Sequence, residues 1–457
     1  MTDLIEDLFA NLWNRFASPA RPPHQSGAVL GRAVRDGVLL QIPVIWPESK
    51  RAEHLAILGK TGSGKSSLLR LLVAQDVREG RGFVFFDLHG DVMGYVLRVV
   101  AANEQRLRTD LSRKLIIIEP ADPACSIGLN VLDASGGQQG FVQIAEFSSI
   151  LKQRWGLDNF GARTEELLRN SLLVLVENGL TLVELAPLLT NAAFRATCFE
   201  RVGDASVREY FEARYNAASD AMQATLREPV LNKLTAFTAD PAFRHIIGQR
   251  VSTFSLRAAL DSGCWIIVNL DKGRLGEQAA TLGALLLARI KHALFSRNTR
   301  ALFSIYADEM QNLVEFGGGM ETLFAESRKS AASVVSANQY LDQYPPSMRS
   351  AVLSVASHIL FQLSSADADK MAAALDGGKS LSEMLKNLPP RHFVAKIGHC
   401  RWQRGVVSTV ADSRTDTTDL YRRCRERWTR RRADIESDIR ARRWQPEAAE
   451  GALHDWT

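Results

Sequence analysis

Short, almost unbroken apolar runs recur along this chain and alternate with stretches in which apolar residues return every three or four positions. Residues 55–58, 83–86, 114–119, 264–270, 301–307, 331–337, 358–363, 393–397 and 405–410 are of the first kind. Runs this short, with no polar alternation, predict strands covered on both faces, as in a parallel sheet. Residues 65 onward, 277–295, 319–327 and 365–374 are of the second kind, the last with Ser365 as its cap. Strand-then-helix alternation predicts an α/β fold with a mostly parallel sheet. Residues 28–46 instead alternate apolar and polar around Arg35-Asp36-Gly37, a hairpin signal, and predict a small β-ribbon leading into the first buried strand.

From 130 to about 252 the pattern turns almost wholly helical, with periodic stretches at 141–155, 165–177, 181–189 and 217–237. Thr181 and Glu184 have the spacing of a capping box. An all-α insertion within the α/β domain accounts for this. At the amino end, Leu4, Ile5, Leu8, Phe9, Leu12, Trp13 and Phe16 form a helical stripe opposite Asp3, Glu6 and Asp7. Membrane-surface helices carry lysine and arginine on the polar face, so this acidic one is expected to dock on protein, its own body or a partner's. The stiff segment 19–24 follows. The expected organisation is 1–25 (helix and linker), 26–129 (ribbon and first part of the α/β domain), 130–252 (insertion), 253–412 (second part of that domain) and 413–457 (tail).

Composition adds bounds. With 457 residues, 46% hydrophobic and 23% charged, the chain is long enough for two or three domains of ordinary globular type. A net charge of +5 permits a nucleic-acid partner without arguing for one. Five scattered cysteines with no C-x-x-C exclude a disulfide framework and a zinc ribbon, and fit a reducing compartment. No apolar run reaches the length of a membrane span and no leader is visible, so a cytoplasmic location is expected, with any membrane contact made through a partner.

Two landmarks carry chemistry. Gly59-Lys60-Thr61-Gly62-Ser63-Gly64-Lys65-Ser66, followed by Ser67, is a complete G-x-x-x-x-G-K-[ST] between a strand run and a helix. Its glycines let backbone N–H groups turn in on a β/γ-phosphate, Lys65 supplies a point charge, Ser66 can ligate Mg²⁺, and the helix adds its positive end. A glycine-rich turn with no ligand is the plainer alternative. The second landmark is Asp308-Glu309, which closes a buried strand run. One carboxylate suits a hydrated Mg²⁺, and its neighbour suits orienting and deprotonating an attacking water. Asn338-Gln339 closes the next strand, where an amide can sense the γ-phosphate or the water. Arg328-Lys329 precedes that strand, where an arginine can stabilise transition-state charge in a neighbouring subunit or merely offset a helix dipole. Asp87 closes the strand at 83–86 and either faces the nucleotide or caps the next helix.

In combination, GKTGSGKSS, FFDLHGD, YADEMQN, ESRKS and SANQY, with a helical insertion after the second, resemble the FtsK/HerA superfamily of ring-forming DNA translocases, above all the conjugative coupling ATPases of type IV secretion and their HerA-like relatives. The likeness spans residues 28–408. It implies a RecA-like P-loop fold, a homo-hexamer with ATP at its subunit junctions, and DNA in the central channel. It assigns Lys65 and Ser66 to phosphate and metal, Asp308 to Mg²⁺, Glu309 to water activation, Gln339 to sensing and Arg328 to a finger acting between subunits. Where membrane coupling proteins carry transmembrane helices and HerA proteins a larger barrel, this sequence has the acidic helix and ribbon. Residues 134–139 resemble the signature loop of ABC transporters but lie far ahead of the acidic strand, which argues against that family.

The expected activity is an ATP-driven motor on DNA, duplex by preference. The alternatives are a nucleotide-gated platform that recruits a relaxase, nuclease or other effector, and, less suited to the Asp-Glu pair, a small-molecule kinase. The tail from 421 to 444 holds ten arginines and two tryptophans against four acids, which suits phosphate-backbone contact or a solvated charged helix equally.

Overall fold

The structure is a computed structural model that describes residues 26–133, 144–145, 147–148, 161–276, 278–314, 320–409 and 412–442. The amino-terminal stripe, residues 134–139, most of the helix expected at 141–155, and Trp444 lie outside these. The strands are β1 (Gly27–Arg35), β2 (Val38–Pro47), β3 (Leu55–Leu58), β4 (Gly82–Asp87), β5 (Leu115–Ile118), β6 (Cys125–Ser126), β7 (Trp265–Asn269), β8 (Phe303–Asp308), β9 (Ala332–Asn338), β10 (Ser357–Leu360), β11 (His392–Ile397), β12 (Gln403–Val407) and β13 (Arg430–Arg431). Eleven form one sheet in the order β2, β1, β12, β11, β10, β3, β9, β8, β4, β7, β5. From β10 to β5 every pairing is parallel, and from β10 back to β2 every pairing is antiparallel. The fold is therefore the mostly parallel α/β sheet that the buried runs imply.

Because strand side chains alternate, each central strand feeds two cores. Val84, Phe86, Ile266 and Val268 join the core that contains the helical region, through Leu167, Leu172, Phe211 and Ile246. Phe83, Phe85, Trp265 and Ile267 join the core under the helices Lys65–Glu79 and Met93–Leu107. The ribbon turns through Asp36 and Gly37, both with left-handed φ (50° and 79°), as a two-residue hairpin demands. It does not stand apart: β1 pairs with β12, so the ribbon extends the central sheet.

The helical region comprises Ala162–Glu177, Leu185–Thr190, Ala192–Phe199, Ala205–Tyr210, Asp220–Thr238 and Pro241–Ile247, with shorter turns between them. Its two ends meet: Asn130 N donates to Ser252 Oγ (3.2 Å), and Gly128 and Thr253 exchange bonds. The capping box forms as spaced, with Thr181 N donating to Glu184 Oε2 at 2.8 Å. One cap shifts by a residue. Ser364, not Ser365, accepts from Asp367 N, because Ser365 is already the first residue of its helix.

In its described residues the arginine-rich tail docks one face on the body and leaves the other exposed. It packs as two helices, Thr418–Trp428 and Arg432–Arg442, joined by β13, which pairs with β6. The first helix buries Leu420 and Cys424 in the sheet's core, and Trp428 Nε1 donates to Ser112 O (3.1 Å). The second packs Ile435 and Ile439 on Val183 of the helical region. Some of its arginines face acids of the body: Arg423 meets Glu104 (2.7 Å), Arg425 meets Asp122 (2.9 Å) and Arg442 meets Glu184 (3.1 Å), while Arg422, Arg430 and Arg431 pair with acids of the tail itself. Glu436 returns the favour to Arg244 and His245. The tail thus straps the helical region to the sheet.

Glu184 is fully buried, so removing Arg442 strands a carboxylate. Arg442→Ala is expected to cost about 3 kcal/mol in urea unfolding, and adding Glu184→Gln should recover part of it. Loss within about 0.5 kcal/mol, the range of an ordinary surface change, would show that the strap carries no load.

Candidate functional site

β3 lies between β10 and β9, and the glycine-rich loop continues both ladders before leaving the sheet. Gly59 N donates to Asn338 O (3.1 Å) and Lys60 N to Gln362 O (2.9 Å). Gly62 and Gly64 then take φ values of 75° and 123°, closed to other residues without strain. Lys65 opens the helix Lys65–Glu79, and its ammonium donates to Gly59 O (2.7 Å) and Lys60 O (3.2 Å), inside the curl of the loop. Burial lowers the Lys65 pKa, and the charges of Asp308 and Glu309 resist that shift. Ser66 Oγ donates to Asp308 Oδ2 at 3.2 Å. Two segments some 240 residues apart in sequence are thereby joined.

The acidic pair stands at the carboxyl end of β8. Burial and the charge of Glu309 raise the Asp308 pKa, while Lys65 and Ser66 oppose the rise. Glu309 has a left-handed φ of 55°, and its N–H donates to Ala337 O (2.9 Å), so the chain turns sharply away from the sheet at this residue. Strained backbone of this kind is retained where the surroundings fix it, and it gathers at functional sites. Gln339 links the pair to the loop: its Nε2 donates to Glu309 Oε1 (3.0 Å) and its Oε1 accepts from Thr61 Oγ1 (3.0 Å).

Sequence reasoning missed the layer beneath. Gln311 donates to Glu309 Oε2, Asn338 donates to Gln311, and Tyr344 donates to Asn338. Such a chain orients the glutamate, and no spacing rule announces it. Asp87 resolves to a cap: its carboxylate accepts from the N–H groups of Gly90 (2.9 Å), Val92 (2.9 Å) and Met93 (3.1 Å), ahead of the helix Met93–Leu107.

Arg328 is not brought to this cluster. It sits in the turn Ser327–Ser330 before β9, at the opposite end of a seven-residue strand from Gln339, about 20 Å away at the rise of extended chain. Its side chain is 69% exposed and pairs with Glu53 at 3.3 Å. Beside it, the buried His54 accepts from Val334 N through Nδ1 (3.1 Å), so Nε2 carries the proton and donates to Phe324 O (3.0 Å). Burial lowers the His54 pKa to about 4.

Residues 48–290 match the model of the helicase HerA central domain. The chain belongs to this family. No curated protein matches it. Among solved structures, plasmid coupling protein TrwB in complex with ADP and Mg²⁺ superposes with a TM-score of 0.58 at 17% identity, covering 89% of this chain and 94% of TrwB. VirB4 of Thermoanaerobacter pseudethanolicus superposes at 0.53 and 16%, covering 85% and 98%. At such identities the likeness establishes the fold, the RecA-like α/β ATPase arrangement of the HerA and coupling-protein class.

The donor set fits Mg²⁺: the Ser66 hydroxyl and the Asp308 carboxylate are hard oxygen ligands at the start of the helix that Lys65 opens. Among the described residues no helix is long and apolar enough to cross a membrane.

Asp308→Asn removes a buried charge that faces Glu309, so the ligand-free protein should melt no lower than wild type while Mg²⁺ ceases to tighten nucleotide binding. A midpoint several degrees lower would contradict this electrostatic picture. His54 is neutral in both states above pH 6.5. Between pH 6.5 and about 4 the unfolded chain takes up a proton that the folded one refuses, so stability is lost as pH falls through that window. His54→Gln should flatten part of that slope in urea midpoints measured at pH 7 and pH 5.

Proposed function

We propose that this protein is an ATP-hydrolysing motor that binds and moves DNA as a homo-hexameric ring. The observation that carries the reading is the Ser66–Asp308 contact with Glu309 held one residue on by Gln339, beside Lys65. In this reading residues 59–67 cradle the phosphates, Lys65 draws charge from the β/γ bridge, and Ser66 with Asp308 hold Mg²⁺. Bound Mg²⁺ supplies charge neutralisation on the phosphates. Glu309 orients a water for in-line attack and takes its proton, and Gln339, bonded to both Glu309 and Thr61, reports the state of the site to the loop. That TrwB binds ADP with Mg²⁺ supports the same ligands here.

Exposure of Arg328 on the far edge supports a role only in a neighbour's site, where it would stabilise charge in the transition state. The tail, its described arginines paired within the chain, is not assigned to DNA. Conjugative transfer or a related DNA pump is the setting that the coupling-protein fold supports.

Glu309→Gln should retain ATP binding and lose turnover by about a hundredfold or more. Arg328→Ala should lose about a thousandfold, and rings mixed from the two variants should regain some activity, because some junctions then combine an intact Glu309 with an intact Arg328. Absence of rescue would remove the action between subunits. Stimulation of turnover by long DNA, with displacement of a bound triplex strand, distinguishes the motor. Indifference to DNA with stimulation by a relaxase or nuclease would replace it with a recruitment platform.

A further inference from the structure

Arg391 occupies a backbone position that favours glycine. Its φ is 66°, and a left-handed non-glycine residue persists where its surroundings hold it. It lies in the turn that enters β11, behind the phosphate loop. Its N–H donates to Ser63 O at 2.7 Å. Its Cα is 3.1 Å from where a Cβ on Gly64 would stand, so the turn presses on the loop's apex. The side chain leaves in another direction. Nη2 donates to Val407 O and to Thr409 Oγ1, both at 3.1 Å, and the Arg391 carbonyl accepts from Val407 N (3.0 Å). Nε is buried without a partner.

Glycine would supply the same backbone without strain and would leave no buried, unpaired Nε. What glycine lacks is the guanidinium grip on the end of β12. We propose that Arg391 is a positioning residue for nucleotide binding: its amide fixes the carbonyl of Ser63 while its guanidinium clamps the end of β12, which holds the Ser63–Gly64 segment of the loop in place. The proposal rests on the nucleotide-binding reading of the loop. It assigns Arg391 no contact with the nucleotide. The loop is held instead by a brace from the antiparallel side of the sheet, so the cost of losing the brace falls on the order of the loop and hence on affinity. Turnover at saturation is set by Asp308 and Glu309, which the brace does not touch.

The test is Arg391→Gly, with Thr409→Val as its partner, in the full chain. Arg391→Gly should leave the thermal midpoint unchanged or raised, since strain is relieved. It should weaken the Kd for ADP and for a non-hydrolysable ATP analogue about tenfold and leave kcat at saturating ATP within about twofold. Thr409→Val should weaken binding in the same direction by less, and the double variant should bind no worse than Arg391→Gly alone. Wild-type affinity in Arg391→Gly would overturn the proposal and reduce Arg391 to packing. If Arg391→Gly lowers the midpoint, Thr409→Val decides, and unchanged affinity there overturns the clamp. Failure of the wild type itself to bind either nucleotide more tightly than Lys65→Ala would overturn the nucleotide reading, and this inference with it.

Discussion

The register of β9 between β3 and β8 is the constraint on which the candidate site depends. Leu58 stands opposite Asn338 on one side of β9, and Asp308 stands opposite Ala337 on the other. That places the start of the phosphate loop and the acidic pair at the same level of the same edge. A slip of one residue would move Asp308 by about 3.3 Å and turn its side chain to the other face of the sheet. Ser66 would then lose its contact with Asp308. The register is locked from below by a buried ionic network. Arg51, fully buried, forks onto Asp76 of the loop's helix (2.7 and 2.8 Å) and also reaches Ser304 (2.9 Å) and Tyr306 (3.1 Å) of β8. Tyr306 closes the circuit by donating to Asp76 at 2.6 Å. Breaking such a network leaves an uncompensated buried charge, so helix and strand are fixed to one another more firmly than apolar packing alone would fix them.

How much of this was legible in the sequence follows from how local each signal is. Parallel strands buried on both faces write themselves as unbroken apolar runs, and a phosphate loop must carry its glycines and lysine in consecutive order. Both were readable for that reason. The Asp308-Glu309 pair was readable because it terminates such a run. Arg51 was not, since a lone arginine in Glu48-Ser49-Lys50-Arg51 has the look of a solvent-facing turn, and only the distant Asp76 and Tyr306 make its burial tolerable. The docking of the tail was not legible for the same reason: Glu104, Asp122 and Glu184, the acids that receive Arg423, Arg425 and Arg442, lie hundreds of residues upstream. Left-handed backbone at Glu309 and Arg391 leaves no trace in residue type at all.

The two edges of the parallel sheet divide the labour of the proposed reading. Lys65, Ser66, Asp308, Glu309 and Gln339 gather at the carboxyl edge. Arg328 stands at the amino edge, with Glu53 and His54 beside it. For an arginine there to serve a catalytic edge in another copy, unlike surfaces must meet. A two-fold dimer joins like to like and brings the same patch of each copy together, whereas a head-to-tail contact joins amino edge to carboxyl edge and, when its rotation closes, gives a ring. On the proposed reading of Arg328, cyclic assembly follows rather than a symmetric pair.

The strap gives the same conclusion a mechanical side. The helical region shares one continuous apolar core with a face of the sheet, and its capping-box glutamate leaves one oxygen that Arg442 of the tail satisfies. Swinging the helical region away from the sheet would expose both the core and a buried carboxylate, two penalties that add because they arise at different places. On the proposed reading, movement driven by nucleotide would be cheaper outside this packed body than within it. If the proposed motor reading holds, rigid subunits would rotate against each other, with the turn after Glu309 as a part that changes shape while the braced Ser63–Gly64 segment stays fixed.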